Sequence, residues 1–312
     1  MSGKRCIATS VAAIAVLVVS AGIAGCRSAP QPDAFETPFA SSSPWRQVIG
    51  PNPSIDPASA EMIAYVQAKP GVFANLVEFG VPIYRAGSNT PTYTVECTER
   101  NFGLCPFAGW PVPIPDSARA NTGTDGVLVT VDESSGNVFE FWQAAKDGEK
   151  WTTAFGAVNS IRGSGWGGAA TGAGASRLAG VIRISEIEKG EIPHALALQT
   201  GNACPTFRAP AQKSDGTSER ADCIPEGSLL QLDPSLDLST LGLGKGAMAV
   251  ATAMQRYGGY VMDVAGTTMS ASFELDTEAA PGSLGKVYQD AGFRWDYDAM
   301  EQVPWQKLRV LN

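Results

Sequence analysis

Few side chains in this chain could move protons, and each can be named. His194 is the only histidine, so imidazole acting as a base or a metal ligand has to be this residue. It follows Pro193 at the start of the apolar run Ala195-Leu196-Ala197-Leu198, where a purely structural, hydrogen-bonded histidine is the competing reading. Among 31 acidic residues, Asp125, Glu140 and Asp263 adjoin expected sheet elements. Glycoside hydrolysis would need two carboxyls about 5 to 9.5 Å apart, a distance that sequence does not supply. His194, Asp125 and Glu140 are therefore the candidate catalytic residues. Serine chemistry lacks its usual setting: no GxSxG occurs, and Ser176 in Gly174-Ala175-Ser176-Arg177 has no second glycine for a nucleophile elbow. Gly163, Gly165 and Gly168 match GxGxxG without the strand, capped helix and acidic partner of a dinucleotide site. With no CxxC and one histidine, neither a metal site nor a cofactor is expected.

A binding surface is the second chemical possibility. Trp142, Trp151 and Trp166 lie close in sequence to Asn159, Arg162 and the Gly-rich stretch 163–174. Exposed indoles stack on sugar rings, and amide and guanidinium groups reach hydroxyls or a uronate, the composition of a ligand groove. The same indoles could instead fill a β core. A formal charge of −8 is a poor match for nucleic acid, whose binding depends on Lys and Arg neutralising phosphates.

These residues must be positioned by strands more than by helices. Pro82 to Tyr84, Tyr93 to Glu96, Val127 to Val131, Val138 to Trp142 and Trp151 to Val158 read as strands, the third and fourth joined as a hairpin across 132–137. On the fourth, Phe139 and Phe141 share one face, so Glu140 and Trp142 are expected on a wet one. His194 to Leu198, Tyr260 to Val264, Met269 to Leu275 and Leu308 to Leu311 are further strand candidates. Asp56 and Pro57 open a short helix. Ala247, Val250, Ala251, Met254 and Tyr257 recur at helical spacing over Gly244 to Tyr257, with Gly258-Gly259 as the stop. The expected fold is mainly β: an antiparallel β-sandwich or jelly-roll-like domain with a few peripheral helices.

The beginning of the chain carries an address. Lys4 and Arg5, an apolar run from Ile7 to Gly25 and small residues before Cys26 have the pattern of a secretory leader. Ile23-Ala24-Gly25-Cys26 resembles the bacterial lipobox, which implies acylation of the Cys26 thiol and cleavage just before it. A retained membrane anchor and simple secretion are the alternatives. The domain expectation is a leader at 1–25, a lipidated cysteine with a Pro- and Ser-rich tether at 26–55, and one extracytoplasmic domain at 56–312. The expected partner is thus a membrane, reached through lipid on Cys26. Cys97, Cys105, Cys204 and Cys223 remain in the domain, and four cysteines allow three pairings. Each local pair brackets a turn-rich segment, so Cys97–Cys105 and Cys204–Cys223 are expected in an oxidising compartment.

Several phrases taken together carry a resemblance: 125–132, 137–142, 151–157, 192–196 and 255–261. They are similar to a family of secreted or lipid-anchored bacterial proteins, common in actinobacteria, of uncharacterised activity. The similarity runs in order from about Pro82 to Leu275 and implies a β-rich secreted domain. It matches His194 and Tyr257 to a histidine and an aromatic of the family phrases, so Tyr257 joins the candidate ligand-binding residues. Where the family often continues Asp-Gly with histidine, this chain has Val127. The expected function is a surface lipoprotein that binds envelope or extracellular polysaccharide. A glycan hydrolase or lyase, and a non-catalytic module for protein partners, are the alternatives.

Overall fold

Residues 128–132 and 137–142 carry buried apolar side chains on both faces: Val129, Val131 and Val138 on one, Leu128, Phe139 and Phe141 on the other. Strands of that kind must be covered twice. The computed structural model describes residues 33–68, 71–168 and 170–312, and within them two larger sheets organise the chain. Their strands are β1 (Phe73–Asn75), β2 (Ile83–Ala86), β3 (Leu128–Asp132), β4 (Asn137–Trp142), β5 (Phe155–Ser160), β6 (Leu196–Thr200), β7 (Leu229–Leu232), β8 (Gly259–Val264), β9 (Ser270–Ser272) and β10 (Leu308–Val310). The helices are α1 (Ser59–Val66), α2 (Ile184–Lys189), α3 (Lys245–Arg256) and α4 (Lys286–Asp290). Among the described residues the fold is mainly β, with 27% strand against 14% helix. Among the described residues no helix is long and apolar enough to cross a membrane. Cys26 and the stretch 1–25 expected as a leader lie outside the described residues.

One sheet has four strands in the order β5-β4-β3-β2, the other six in the order β1-β9-β6-β8-β7-β10. Pairing is mixed: five of the eight strand pairs in these two sheets are antiparallel, while β2/β3, β6/β8 and β1/β9 run parallel. Parallel neighbours need long crossovers; the one from β6 to β8 carries β7 and α3. Leu196, Leu198 and Val261 of the six-stranded sheet pack under Val250 and Met254 of α3. On its other side Ala197, Tyr260 and Met262 meet Val129, Val131 and Val138 of the four-stranded sheet. The far face of the four-stranded sheet is covered by Phe107, Val112, Ile114 and Trp151. Both faces of β4 are therefore dry, and the wet face expected for Glu140 and Trp142 does not exist: Glu140 is fully buried and Trp142 half-buried.

Local signals act as their chemistry requires. The Asp56 carboxylate accepts the Ala58 N–H at 2.7 Å ahead of α1, and Gly258, at φ +72°, ends α3. Cys97 is bonded to Cys105 and Cys204 to Cys223. Within the stretch 26–55 expected as a tether, Phe35, Phe39 and Trp45 are buried in the core between the sheets. Trp45 stacks on Trp166 with ring centroids 5.1 Å apart, and its carbonyl accepts the Ala195 N–H at 2.7 Å. Three aromatic anchors outweigh the Pro- and Ser-rich composition around them.

Candidate functional site

The apolar layer between the two sheets gives way at one end to polar side chains. On β6 the residues facing the four-stranded sheet begin with Ala197 and continue with Gln199. In cross-strand register Gln199 stands opposite Ser270 of β9 on one side and Asp263 of β8 on the other, and Ser270 stands opposite Phe73 of β1. The β6/β8 ladder is irregular here: Leu198 pairs with Val261 but Gln199 with Asp263, so Met262 is the extra residue of a bulge. In a regular strand the side chain after Met262 would turn to the opposite face. The bulge re-aims Asp263 onto the Gln199 side, as bulges beside sites commonly do.

A cleft of about 780 Å³ opens over this row. Its floor is a hydrogen-bonded series. Ser270 Oγ donates to Gln199 Oε1 at 2.9 Å, and Gln199 Nε2 donates to Ser272 Oγ at 2.8 Å. Asn75 Nδ2 donates to Ser270 Oγ at 3.3 Å. Phe73, Phe79, Val81, Val127 and Tyr297 form apolar walls, and Asp125 enters from the turn before β3. Tyr297 is held at φ +64°, with its N–H donating to the Ala74 carbonyl at 2.9 Å. A non-glycine residue kept in that region is a form of strain that concentrates at functional sites.

The charged end of the cleft is built around Asp263. Arg177 Nη1 donates to Asp263 Oδ2 at 2.9 Å, and the Gly172 N–H donates to Oδ1 at 3.3 Å. Arg177 Nη2 is tied to the Ala170 carbonyl at 2.6 Å, so the Gly-rich segment holds the guanidinium that faces the aspartate. Burial pushes the Asp263 carboxyl up to about 7; Arg177 opposes the shift, and the negative charges of Asp215 and Asp125 add to it. A carboxyl in a cleft that changes charge near neutrality is a common property of functional groups.

No family model, curated protein or solved structure matches this chain.

Of the residues singled out from sequence, Asp125 and Asp263 line this cleft and the rest do not. Glu140 is enclosed behind it. Its carboxylate accepts from Ser176 Oγ, from Arg177 N–H at 2.8 Å and from Asn159 Nδ2 at 3.0 Å. Burial pushes its carboxyl up and these donors pull it back. Glu140 is fully buried and is not among the residues lining the cleft. His194 lies elsewhere, beside a cavity of about 30 Å³ that also touches Trp45, Arg183 and Glu186. That volume suits water rather than a sugar. One ring nitrogen faces the Ala195 carbonyl at 2.8 Å and the other the Glu186 carboxylate at 3.1 Å. Burial alone would lower the imidazole, but the charge and hydrogen bond of Glu186 and the Ala195 carbonyl hold it above its ordinary value. His194 is thus a strut joining α2 to the strand that follows.

The three tryptophans do not make a groove. Trp151 is buried on the far side of the four-stranded sheet. Trp166 is sandwiched against Trp45 and Tyr260, and Trp142 lies half-buried against Phe102. Asn159 is engaged with Glu140, Tyr257 is buried, and Arg162 is exposed away from the cleft residues. These indoles pack because the four-stranded sheet is covered on both faces. Gln199, Asn75, Ser270, Ser272 and Arg177 were not picked out from sequence. Their signal was there: Gln199, Ser270 and Ser272 are polar positions at alternate spacing in short strands that are otherwise apolar.

Proposed function

We propose that this is a lipid-anchored surface protein that holds a polysaccharide chain in the cleft over β6, β8 and β9. The observation that carries the reading is the cleft floor, a continuous row of hydroxyl, amide and carboxyl groups set between aromatic walls. Sugars offer hydroxyls to such a row and apolar ring faces to Phe73, Phe79 or Tyr297. A location outside the cytosol is supported by the two disulfides, and an anchor by the lipobox-like sequence ending at Cys26. The fold that accompanies this reading is a two-sheet sandwich, supported by the core that both sheets share.

Cleavage of the bound glycan is the second reading. Asp125 and Asp263 line one cleft, and Asp263 is desolvated while Asp125 lies half-exposed. Two carboxyls in unlike surroundings are how one site provides both an acid and a base.

The test is retention of the purified chain on a panel of cell-wall and extracellular polysaccharides, with new reducing or unsaturated ends measured in parallel. Retention that falls on Gln199→Ala and Tyr297→Ala supports binding in the cleft. New ends that disappear in Asp263→Asn and Asp125→Asn support cleavage. No retention on any polymer would remove the carbohydrate reading. For the anchor, Cys26→Ala is expected to move the protein from the membrane fraction to the soluble one.

A further inference from the structure

Hydrogen bonds order the floor of the cleft and leave two groups over. Gln199 Nε2 faces the Ala197 carbonyl at 3.4 Å. A carbonyl oxygen only accepts, so this end of the amide is the nitrogen and the other end, Oε1, is the acceptor. Oε1 takes the Ser270 hydroxyl at 2.9 Å and lies 3.5 Å from Asn75 Nδ2. The Asn75 amide is fixed in turn: its nitrogen is turned to Ser270 Oγ and Gln199 Oε1, and Oδ1 is its free end. On the far side of Gln199, Nε2 donates to Ser272 Oγ at 2.8 Å, so the Ser272 proton remains to be given elsewhere. Among the described residues, neither Asn75 Oδ1 nor that hydroxyl proton has a partner.

We propose that Asn75 and Ser272 read a vicinal diol on an uncharged sugar, one hydroxyl donating to Asn75 Oδ1 and its neighbour accepting from Ser272 Oγ. The inference rests on reading the cleft as a polysaccharide site, and it specifies the polymer: one that carries adjacent ring hydroxyls and no acidic groups.

Asn75 of β1 and Ser272 of β9 are cross-strand partners in parallel register. Their side chains therefore leave the same face of the sheet, on strands about 4.8 Å apart, and both line the cleft. An acceptor beside a donor at that spacing suits two oxygens on adjacent carbons, one giving a proton and the other taking one. Hydroxyl oxygen does both. A carboxylate only accepts, and would leave Asn75 Oδ1 unpaired. Gln199 and Ser270 hold the pair in place before any ligand arrives, so little side-chain freedom is lost on binding. The apolar part comes from the same strand: Phe73, two residues from Asn75 and so on its face, also lines the cleft and offers a surface to the sugar ring. Charge points the same way. The charged residues lining the cleft are Asp125, Arg177 and Asp263. Arg177 gives Nη1 to Asp263 and Nη2 to the Ala170 carbonyl, and its Nε is shut away from solvent. No cation is left for a uronate or a sulfate, which would meet the half-exposed Asp125 instead.

The experiment measures retention of the purified chain on soluble starch, dextran, arabinogalactan and galactomannan, each before and after periodate oxidation and borohydride reduction, which open the ring between adjacent hydroxyls. Curdlan, whose internal rings carry no adjacent free hydroxyls, and polygalacturonate, whose diols are intact but whose rings are acidic, complete the set. Retention is expected on at least one of the four untreated polymers, is expected to vanish on oxidation, and is expected to be absent from the last two. Ser272→Ala and Asn75→Leu, checked for folding by their melting temperatures, should each weaken the apparent affinity by about five- to tenfold. Equal retention on curdlan, retention that survives oxidation, or a preference for polygalacturonate would overturn the proposal in the wild type alone, and would leave the cleft standing as a polysaccharide site. Full affinity in both folded variants would overturn it as well. Retention on no polymer at all is a different result, which removes the polysaccharide reading and this inference with it.

Discussion

Glu140 and Glu226 are both glutamates at full burial in strands, yet their surroundings differ in kind. Glu140 is met by a hydroxyl, a backbone N–H and a side-chain amide; neither carboxylate oxygen of Glu226 has a hydrogen bond of ordinary geometry, and burial and the charges of Asp215 and Asp263 push its carboxyl up against the weaker pull of the Asp215 backbone. A buried polar group supplied with donors becomes part of the framework. One without them lowers its free energy by keeping a proton. The first arrangement locks Ser176 and Arg177 in place. The second leaves a titratable reserve behind the cleft, and Arg177 belongs to both: its N–H serves Glu140 while its guanidinium serves Asp263.

The largest effect is expected on the framework side. Glu140→Ala strands three buried donors, and stability should drop by about 3 kcal/mol or more in urea denaturation. On the reserve side the sign reverses at high pH. A carboxyl raised on folding contributes stability that is present below its ordinary value and lost as pH rises through the folded one. For Asp263 and Glu226 that loss extends through about 7 and about 9. Glu226→Gln removes the part due to Glu226, so at pH near 9 the variant should be more stable than the wild type by about 1 to 3 kcal/mol. Thermal melts across pH would show it. The smallest effect is expected at His194, which is raised by Glu186. Its contribution is present below the ordinary imidazole value of about 6.5 and fades as pH rises past it. His194→Gln should reduce stability by about 1 kcal/mol at pH near 5.5 and change little at pH near 8.5.

Much of the framework could be read from sequence. The hairpin of β3 and β4, helix α3, the mainly β character and both disulfides follow from alternation, helical spacing and turn-bracketed cysteines. The sheet pairing did not follow, because parallel neighbours such as β6 and β8 are joined only through long crossovers. The burial of Glu140 was hidden for a related reason. Phe139 and Phe141 announce one apolar face, but the second cover comes from Trp45 and Leu178, which are remote in sequence.

The cleft was half legible. Asp125 and Asp263 stood out as carboxylates beside strands, whereas their meeting depends on a bulge at Met262 that no local residue type signals. Trp142, Trp151 and Trp166 misled because indole side chains serve cores and sugar platforms equally well, and only the second layer over the four-stranded sheet decides between them. Glu226 looked like any acidic residue in a Pro-Glu-Gly turn. Its meaning comes from Asp215, eleven residues earlier in the chain, brought alongside by the Cys204–Cys223 segment.

The most direct measurement is the urea midpoint of three proteins, the wild type, Glu140→Gln and Glu226→Gln, at acidic, neutral and alkaline pH. Glu140→Gln should lie below the wild type throughout, because an amide sets a donor against donors. Glu226→Gln should gain on the wild type steadily as pH rises and exceed it at the alkaline end. A Glu226→Gln protein that trails the wild type by the same margin at every pH would show that Glu226 is ionised and satisfied, and would contradict the account.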